Sequence, residues 1–457
     1  MLFLASLAAT IAIGSAERLR WQVHPVPHVD VPNASITVIN GVSDNGILTG
    51  RSGSTQSTIG WHAFIWTPET GTLACLDGGW SLSEGTCVNS AGVVAGSVSV
   101  CPMNGACSSA AAFLSPDASA MPTGPVEPEF LSIAGLTEAG AMVYEQGYPN
   151  SNQAGAWITD PTGTAHPIPL PDVAFSVQIA AITETLPQAD VTMAGHVWAS
   201  PWRIAMVWRV HFDGAEPIFE VIMLPTAGGD ALVTDMLDDG TVLGGLEFEQ
   251  YFRPVTWSPP YDSYTTVLPP KSPVASHQTQ VGSLDGLRAG DFWATGSQAT
   301  WILDTDGSFI TLGHDDLGLE AGDLRPISML PDDSVLLQYR SSTTYESTWA
   351  TWHADTGVAW VHPRLLGGEK VGEHPGTVAV GTGEGTLGLN AYPHAFVAVP
   401  IAPGDVNADG TVDVGDLLSL IDGWGPCGEA CFEDLDASGT IGVNDLLSVL
   451  AHYQTGG

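Results

Sequence analysis

The chain has 457 residues, only 14% of them charged, with 53 glycines and 32 prolines. That length exceeds one ordinary compact domain, and that composition excludes a chain of long helices in favour of short strands and many turns. Fifty Asp and Glu against twelve Lys and Arg leave a net charge of -38, which excludes nucleic acid and anionic membranes as partners and suits divalent cations and a solvated surface.

The first predicted element is a secretory signal over residues 1–16. Leu2 to Ile13 is almost wholly apolar, and Gly14-Ser15-Ala16 supplies small residues for cleavage before Glu17. No later apolar run is long enough to span a bilayer. A secreted protein, extracellular or on the cell surface, is therefore expected. The six cysteines, Cys75, Cys87, Cys101, Cys107, Cys427 and Cys431, lie near one another in sequence. In an oxidising compartment that clustering predicts local disulfides rather than a zinc site, since Cys-x-x-Cys pairs are missing.

From residue 20 to residue 400 two signatures recur. One is a turn followed by a short apolar strand, as in Asn45-Gly46-Ile47-Leu48, Ala91-Gly92-Val93-Val94, Asp239-Gly240-Thr241-Val242 and Ala289-Gly290-Asp291-Phe292. Positions 46, 92, 140, 190, 240, 290, 334 and 385 are 44 to 51 residues apart. The other is a strand ending in Trp: Trp66, Trp157, Trp208, Trp257, Trp301 and Trp352. Each unit reads as four short strands, in the first near 36–39, 47–50, 62–66 and 72–76. Such a unit cannot bury a face alone, so the units must stack. Four strands every forty-odd residues is the period of a β-propeller blade. The predicted fold is all-β, an eight-bladed propeller of four-stranded blades. Seven blades result if the third and fourth units are one. The eighth unit supplies three strands, and the N-terminal segment Trp21-Gln22-Val23-His24-Pro25-Val26-Pro27 is the candidate fourth, closing the ring and removing an open edge.

The triplets His62-Ala63-Phe64 and His394-Ala395-Phe396, with a Trp-x-Pro-x-x-Gly turn after the first, resemble the repeats of the extracellular HAF family of bacterial proteins. That resemblance implies a secreted, propeller-like repeat protein and carries no catalytic residues.

After the short linker Pro400-Ile401-Ala402-Pro403 the texture changes, and residues 404–455 form a separate predicted domain. Asp405, Asn407, Asp409, Asp413 and Asp416 place oxygen-bearing side chains at positions 1, 3, 5, 9 and 12 of a twelve-residue loop, with Gly410 at 6 and the Thr411 carbonyl at 7. Calcium takes six to eight oxygen ligands, and this spacing wraps them around one point. The pattern returns 29 residues later with Asp434, Asp436, Ser438, Thr440 and Asp445. Gly442 stands at position 9 there, so the second site is expected to bind Ca2+ more weakly. Each loop opens a short helix. The tandem resembles dockerin type I domains, which dock secreted proteins onto cohesin domains; the resemblance implies a cohesin-like protein or a cell-surface component as partner. Positions 10 and 11, often a Ser/Thr pair in that family, are Val414-Gly415 and Val443-Asn444 here.

For the repeat domain, a carbohydrate or protein ligand is the expected partner class. Candidate acid–base groups are Asp230, Asp235, Asp238 and Asp239 in unit five and His314, Asp315 and Asp316 after unit six, since paired carboxylates can hydrolyse glycosides. With fifty acids such clusters arise readily by chance, and solvated turns are the simpler reading. There is no Gly-x-Ser-x-Gly elbow, His-Glu-x-x-His pair or phosphate loop. The reading that follows is a secreted, non-catalytic binding or structural propeller attached by its calcium-dependent tail, and not an enzyme. The alternative is an extracellular polysaccharide hydrolase or lyase carrying a dockerin.

Overall fold

The computed structural model describes residues 20–453 except 30–34, 55–59, 68–70, 72, 77–81, 101–107, 115–120, 123–130, 147–154, 185–189, 215, 227, 249–250, 268–274, 283–286, 295–296, 316–320, 331–332, 344–346, 354–356, 362–373, 381–385, 393, 403, 408–410, 427–432 and 436–439. The signal segment, Cys101, Cys107, Cys427, Cys431, Asp316 and the turn at 385 lie outside the described residues. No helix among the described residues is long and apolar enough to cross a membrane.

Eight four-stranded antiparallel sheets follow one another along the chain. The first is Ile36–Val42, Leu48–Gly53, Trp61–Trp66 and Leu73–Cys75; the next six span 82–122, 131–167, 176–223, 231–266, 275–312 and 322–361. The eighth has His374–Val380, Leu387–Tyr392 and His394–Ile401, and its outer strand is Arg20–Val26, antiparallel to His394–Ile401 with Arg20 opposite Ile401. Tight turns join the first and second strands of the first, second, third and fifth sheets, and Gly46, Gly92, Gly140 and Gly240 take the positive φ these turns require.

The expected class, a plain eight-bladed propeller with a small α-helical dockerin-like module, is corrected. Among its described residues the chain is mostly β, built of many small sheets with no closed barrel, and has two helices. The tail is not helical alone, because Gly425–Pro426 pairs with Thr440–Ile441 between its helices.

The apolar cores lie between sheets, because a twisted four-stranded sheet exposes apolar side chains on both faces. One cluster joins Val143, Ala156 and Ile158 of the third sheet to Val177, Met193 and Trp208 of the fourth. Another joins Phe64 and Trp66 of the first sheet to Ala395 and Val397 of the eighth. The repeated tryptophans fill these seams. Trp208 and Trp257 are fully buried and donate their indole N–H to the Pro169 and Pro225 carbonyls at 2.9 Å. The spacing predicts such seams; it does not predict how adjoining sheets are tied.

Those ties start from a β-bulge in the first strand of every sheet, at Ile39/Gly41, Gly85/Cys87, Ile133/Gly135, Ile179/Ala181, Val233/Asp235, Thr279/Val281, Pro326/Ser328 and Pro375/Val378. A bulge turns backbone groups out of their own ladder. Opposite it the second strand carries Gly50, Gly96, Gly195 or Gly244, where an added Cβ would come within 2.2 Å of a first-strand carbonyl. Gly290 occupies the same register position, opposite Thr279, inside the strand Arg288–Ala294. Its assignment to a turn is therefore corrected: the glycine at the repeat period lies within a paired strand there, not at a reversal of the chain.

One residue further along the second strand, a polar side chain crosses to the next sheet. Asn390 accepts from the Ile39 N–H and donates to the Ile39 carbonyl, both at 2.7 Å, tying the eighth sheet to the first. Arg51 donates to Glu84 at 3.1 Å, and Glu145 accepts from the Ile179 N–H. Burial pushes the Glu145 pKa up from 4.5 to about 7, the Ile179 N–H only partly offsetting it. The folded chain then holds the Glu145 proton more tightly than the unfolded chain does. Its contribution is undiminished below about pH 4.5, declines as pH rises, and is lower by roughly 3 kcal/mol above about pH 7. Glu145→Gln, which keeps the acceptor without the charge, should raise the melting temperature at pH 8 and leave it unchanged at pH 4. A lower melting temperature at pH 8 would count against this origin of the shift.

The expected disulfides are not formed by Cys87, a free thiol whose pKa burial raises to about 11.

Candidate cation site in the C-terminal tail

The tail is built twice over. Helix α1 (Val414–Asp422) and helix α2 (Val443–His452) each follow one of the predicted loops. Their shared core is Val406, Val412, Leu417 and Leu420 from the first half with Leu435, Ile441, Leu446 and Val449 from the second. Every member of the first set has its counterpart 29 residues on, so the sequence repeat is a repeat of packing. The outward positions repeat too: Val414, Leu418 and Ile421 on α1, and Val443, Leu447 and Leu450 on α2, are exposed.

Each loop is closed by the carboxylate at its last position. Asp416 and Asp445 are 0% and 1% exposed. Asp416 Oδ1 accepts from the backbone N–H of Val406 at 2.7 Å and of Asn407 at 3.1 Å, and Oδ2 from that of Asp413 at 2.8 Å. Asp445 repeats this, Oδ1 accepting from Leu435 at 2.6 Å and Oδ2 from Gly442 at 2.7 Å. The start and end of each loop thus hang on one buried carboxylate. These bonds sit at the first turn of a helix, where the aligned peptide dipoles also favour negative charge. Asp413 adds a cap of its own, its side chain accepting from Gly415 N–H at 2.6 Å; Gly442 at the equivalent place cannot.

Of the predicted ligands, Asp405 and Asp416 are buried in the first half and Asp445 in the second; Asp413 and Asp434 are half-buried, and Asn407, Thr411 and Thr440 are exposed. Asp409, Asp436 and Ser438 lie outside the described residues. Among the described residues no three His, Cys, Asp or Glu side chains group as a metal site. The donor chemistry suits a hard cation, being oxygen throughout. A carboxylate has about four lone-pair directions, so the three N–H bonds to Asp416 leave acceptor capacity on it.

Of the acid candidates of the repeat domain, Asp235 and Asp238 lie close enough for the one charge to act on the other, whereas Asp230 and Asp239 are held apart. Asp230 receives the Arg203 guanidinium and backbone N–H. Asp239 accepts from Thr241 N–H at 2.7 Å, in the turn at the other end of the strand Ala231–Met236. That strand holds them roughly 20 Å apart. Burial raises the Asp235 pKa to about 6, its own bond from Met236 N–H opposing this. His314 pairs with its neighbour Asp315 at 3.3 Å. A polar cluster that the spacing does not reveal surrounds Arg203, whose guanidinium lies 4.9 Å from the Trp198 ring and 5.1 Å from that of Phe252. Beside it His196 is buried, and burial, then the Arg203 charge, pushes its pKa down to about 4, so it is neutral at physiological pH.

No protein-family model and no curated protein matches the chain. Among solved structures, a prolyl endopeptidase matches with 13% identity over 78% of this chain and 54% of its own, at a TM-score of 0.49. Oligopeptidase B from Leishmania major matches with 10% identity over 85% and 56%, at 0.48. Dipeptidyl peptidase 4 from Porphyromonas gingivalis matches with 9% identity over 79% and 58%, at 0.47. The chain spans a little over half the length of these peptidases.

These comparisons correct the family expectations. No family model supports the HAF repeats or dockerin, and the structures that match include peptidases. The readings as a non-catalytic binder, and as a polysaccharide hydrolase or lyase, are withdrawn with them: several of the structures that match are of peptidases. The likeness is too weak to transfer the peptidases' own chemistry to this chain.

Proposed function

We propose that residues 405–453 are a paired divalent-cation module, with Ca2+ as its ion, in a secreted protein. The observation that carries this reading is the twofold closure of the loops by the buried carboxylates Asp416 and Asp445, with the same backbone donors 29 residues apart. Asp405, Asn407, Asp409, Asp413 and Asp416 with the Thr411 carbonyl supply the first site. Asp434, Asp436, Ser438 and Asp445 with the Thr440 carbonyl supply the second. A net charge of -38 raises the local concentration of any divalent cation. The first site is the stronger, since Asp413 has only Gly442 as its counterpart.

The ion's role is to hold the two loops against the helices. Cation binding to the folded tail alone stabilises it by about 2.7 kcal/mol per site at a hundredfold excess over the dissociation constant. Hydrogen exchange on the full chain tests this. Calcium should slow exchange in α1 and α2 roughly a hundredfold at that excess, with little change in the eight sheets. Equal rates with calcium and with a chelator would refute the proposal. In the bound form the exposed residues Val414, Leu418, Ile421, Val443, Leu447 and Leu450 are held on two fixed helices, a surface suited to a protein partner.

A further inference from the structure

The outer strand of a sheet presents a row of backbone N–H and C=O groups that can template another strand. Among the described residues, seven of the eight sheets blunt this edge. Their outer strands Leu73–Cys75, Met121–Pro122, Ala165–Pro167, Thr265–Thr266 and Phe309–Leu312 have four described residues or fewer; Gly357–Val361 opens on glycine, and Arg20–Val26 contains Pro25. The fourth sheet does not. Its outer strand Ile218–Met223 has six residues with neither Pro nor Gly.

The phase of that edge follows from its pairing. Leu224 N–H donates to the Ala205 carbonyl at 2.9 Å, and Met223 lies opposite Met206. Residues 218, 220 and 222 therefore turn their backbone groups toward the third strand, and Phe219, Val221 and Met223 turn theirs outward. Ile218, Val221 and Met223 are 58%, 41% and 64% exposed, an apolar run on an acidic molecule. The one charge in the strand, Glu220, is countered within the sheet by Arg209 at 3.0 Å.

We propose that this edge pairs with the same edge of a second copy of the chain, antiparallel about a twofold axis at Val221. The strand is self-complementary in that register. Val221 faces its own copy, and Phe219 faces the second copy's Met223, so the outward backbone groups meet in reciprocal pairs with apolar side chains beside them. Glu220 falls opposite Ile222 rather than another carboxylate. Elsewhere a surface dominated by acids opposes association of like chains, and this neutralised apolar edge is where the repulsion is least. The contact is isologous and closes at two copies, joining two four-stranded sheets into one of eight strands.

Sedimentation of the full chain across a concentration series, at low and high salt, tests this. A species of twice the chain's mass is expected, favoured by salt because screening weakens the repulsion between acidic surfaces. Val221→Lys and Val221→Pro should each return it to single mass; the second removes an outward N–H and no bond within the sheet. Val173→Lys, at an apolar position more exposed than Val221 but off the edge, should not. Exchange at Phe219, Val221 and Met223 should slow in the larger species. Single mass throughout, a dimer indifferent to both Val221 variants, or an edge that takes up an unrelated extended peptide while the chain stays single would each overturn the proposal.

Discussion

Asp416→Ala should release the first loop and destabilise the tail by about 3 kcal/mol, since three N–H groups, that of Val406 buried and those of Asn407 and Asp413 partly so, lose their acceptor at once. Its side chain bonds residues ten and nine positions earlier as well as the helix cap, so the loss is one of loop closure and not of helix propensity. Asp413→Ala provides the contrast: that side chain makes a local cap to Gly415, and its loss should cost about 1 kcal/mol. Hydrogen exchange in the absence of calcium separates the two. Asp416→Ala should leave α1 exchanging as an open segment, whereas Asp413→Ala should only speed its first turn. Equal effects would show that Asp416 is merely a cap.

Trp208→Ala should cost about 3–5 kcal/mol of global stability. The indole is fully buried between the third and fourth sheets, beside Val143, Ile158 and Met193, and its N–H satisfies the Pro169 carbonyl. The substitution opens a large cavity and leaves that carbonyl unpaired. The equally repeated Trp157 offers a control. It is only half-buried, stacked on Tyr144 with ring centroids 5.6 Å apart, and its replacement by Ala should cost less. Thermal melts of the two variants check the order, and a Trp157→Ala loss equal to or above that of Trp208→Ala would contradict it.

What the sequence shows of this molecule is whatever depends on short spacing. The turns at Gly46, Gly92, Gly140 and Gly240 are legible because a positive φ demands glycine, and the seam tryptophans because they recur. The tail's loops are legible because ligand spacing and helix start fall within twelve residues. The bulges are not, because a bulge is a relation between two strands and leaves no fixed residue behind. Gly290 shows the cost: it has the repeat period but lies within a strand. The Asn390–Ile39 tie joins residues 351 apart, beyond any local pattern. Nor could the edge at Ile218–Met223 be recognised before its partner strand gave it a phase. Family membership is not legible at all, since short triplets and a loop pattern do not define a family and no family model matches the chain.

The central claim is that Asp416 and Asp445 close two calcium loops, and calorimetric titration of the full chain with calcium chloride tests it most directly. Two ions per chain are expected, the first bound more tightly, with Asp405→Ala abolishing the tighter event and Asp434→Ala the weaker. Absence of heat from the wild-type chain, or two events that survive both substitutions, would contradict it.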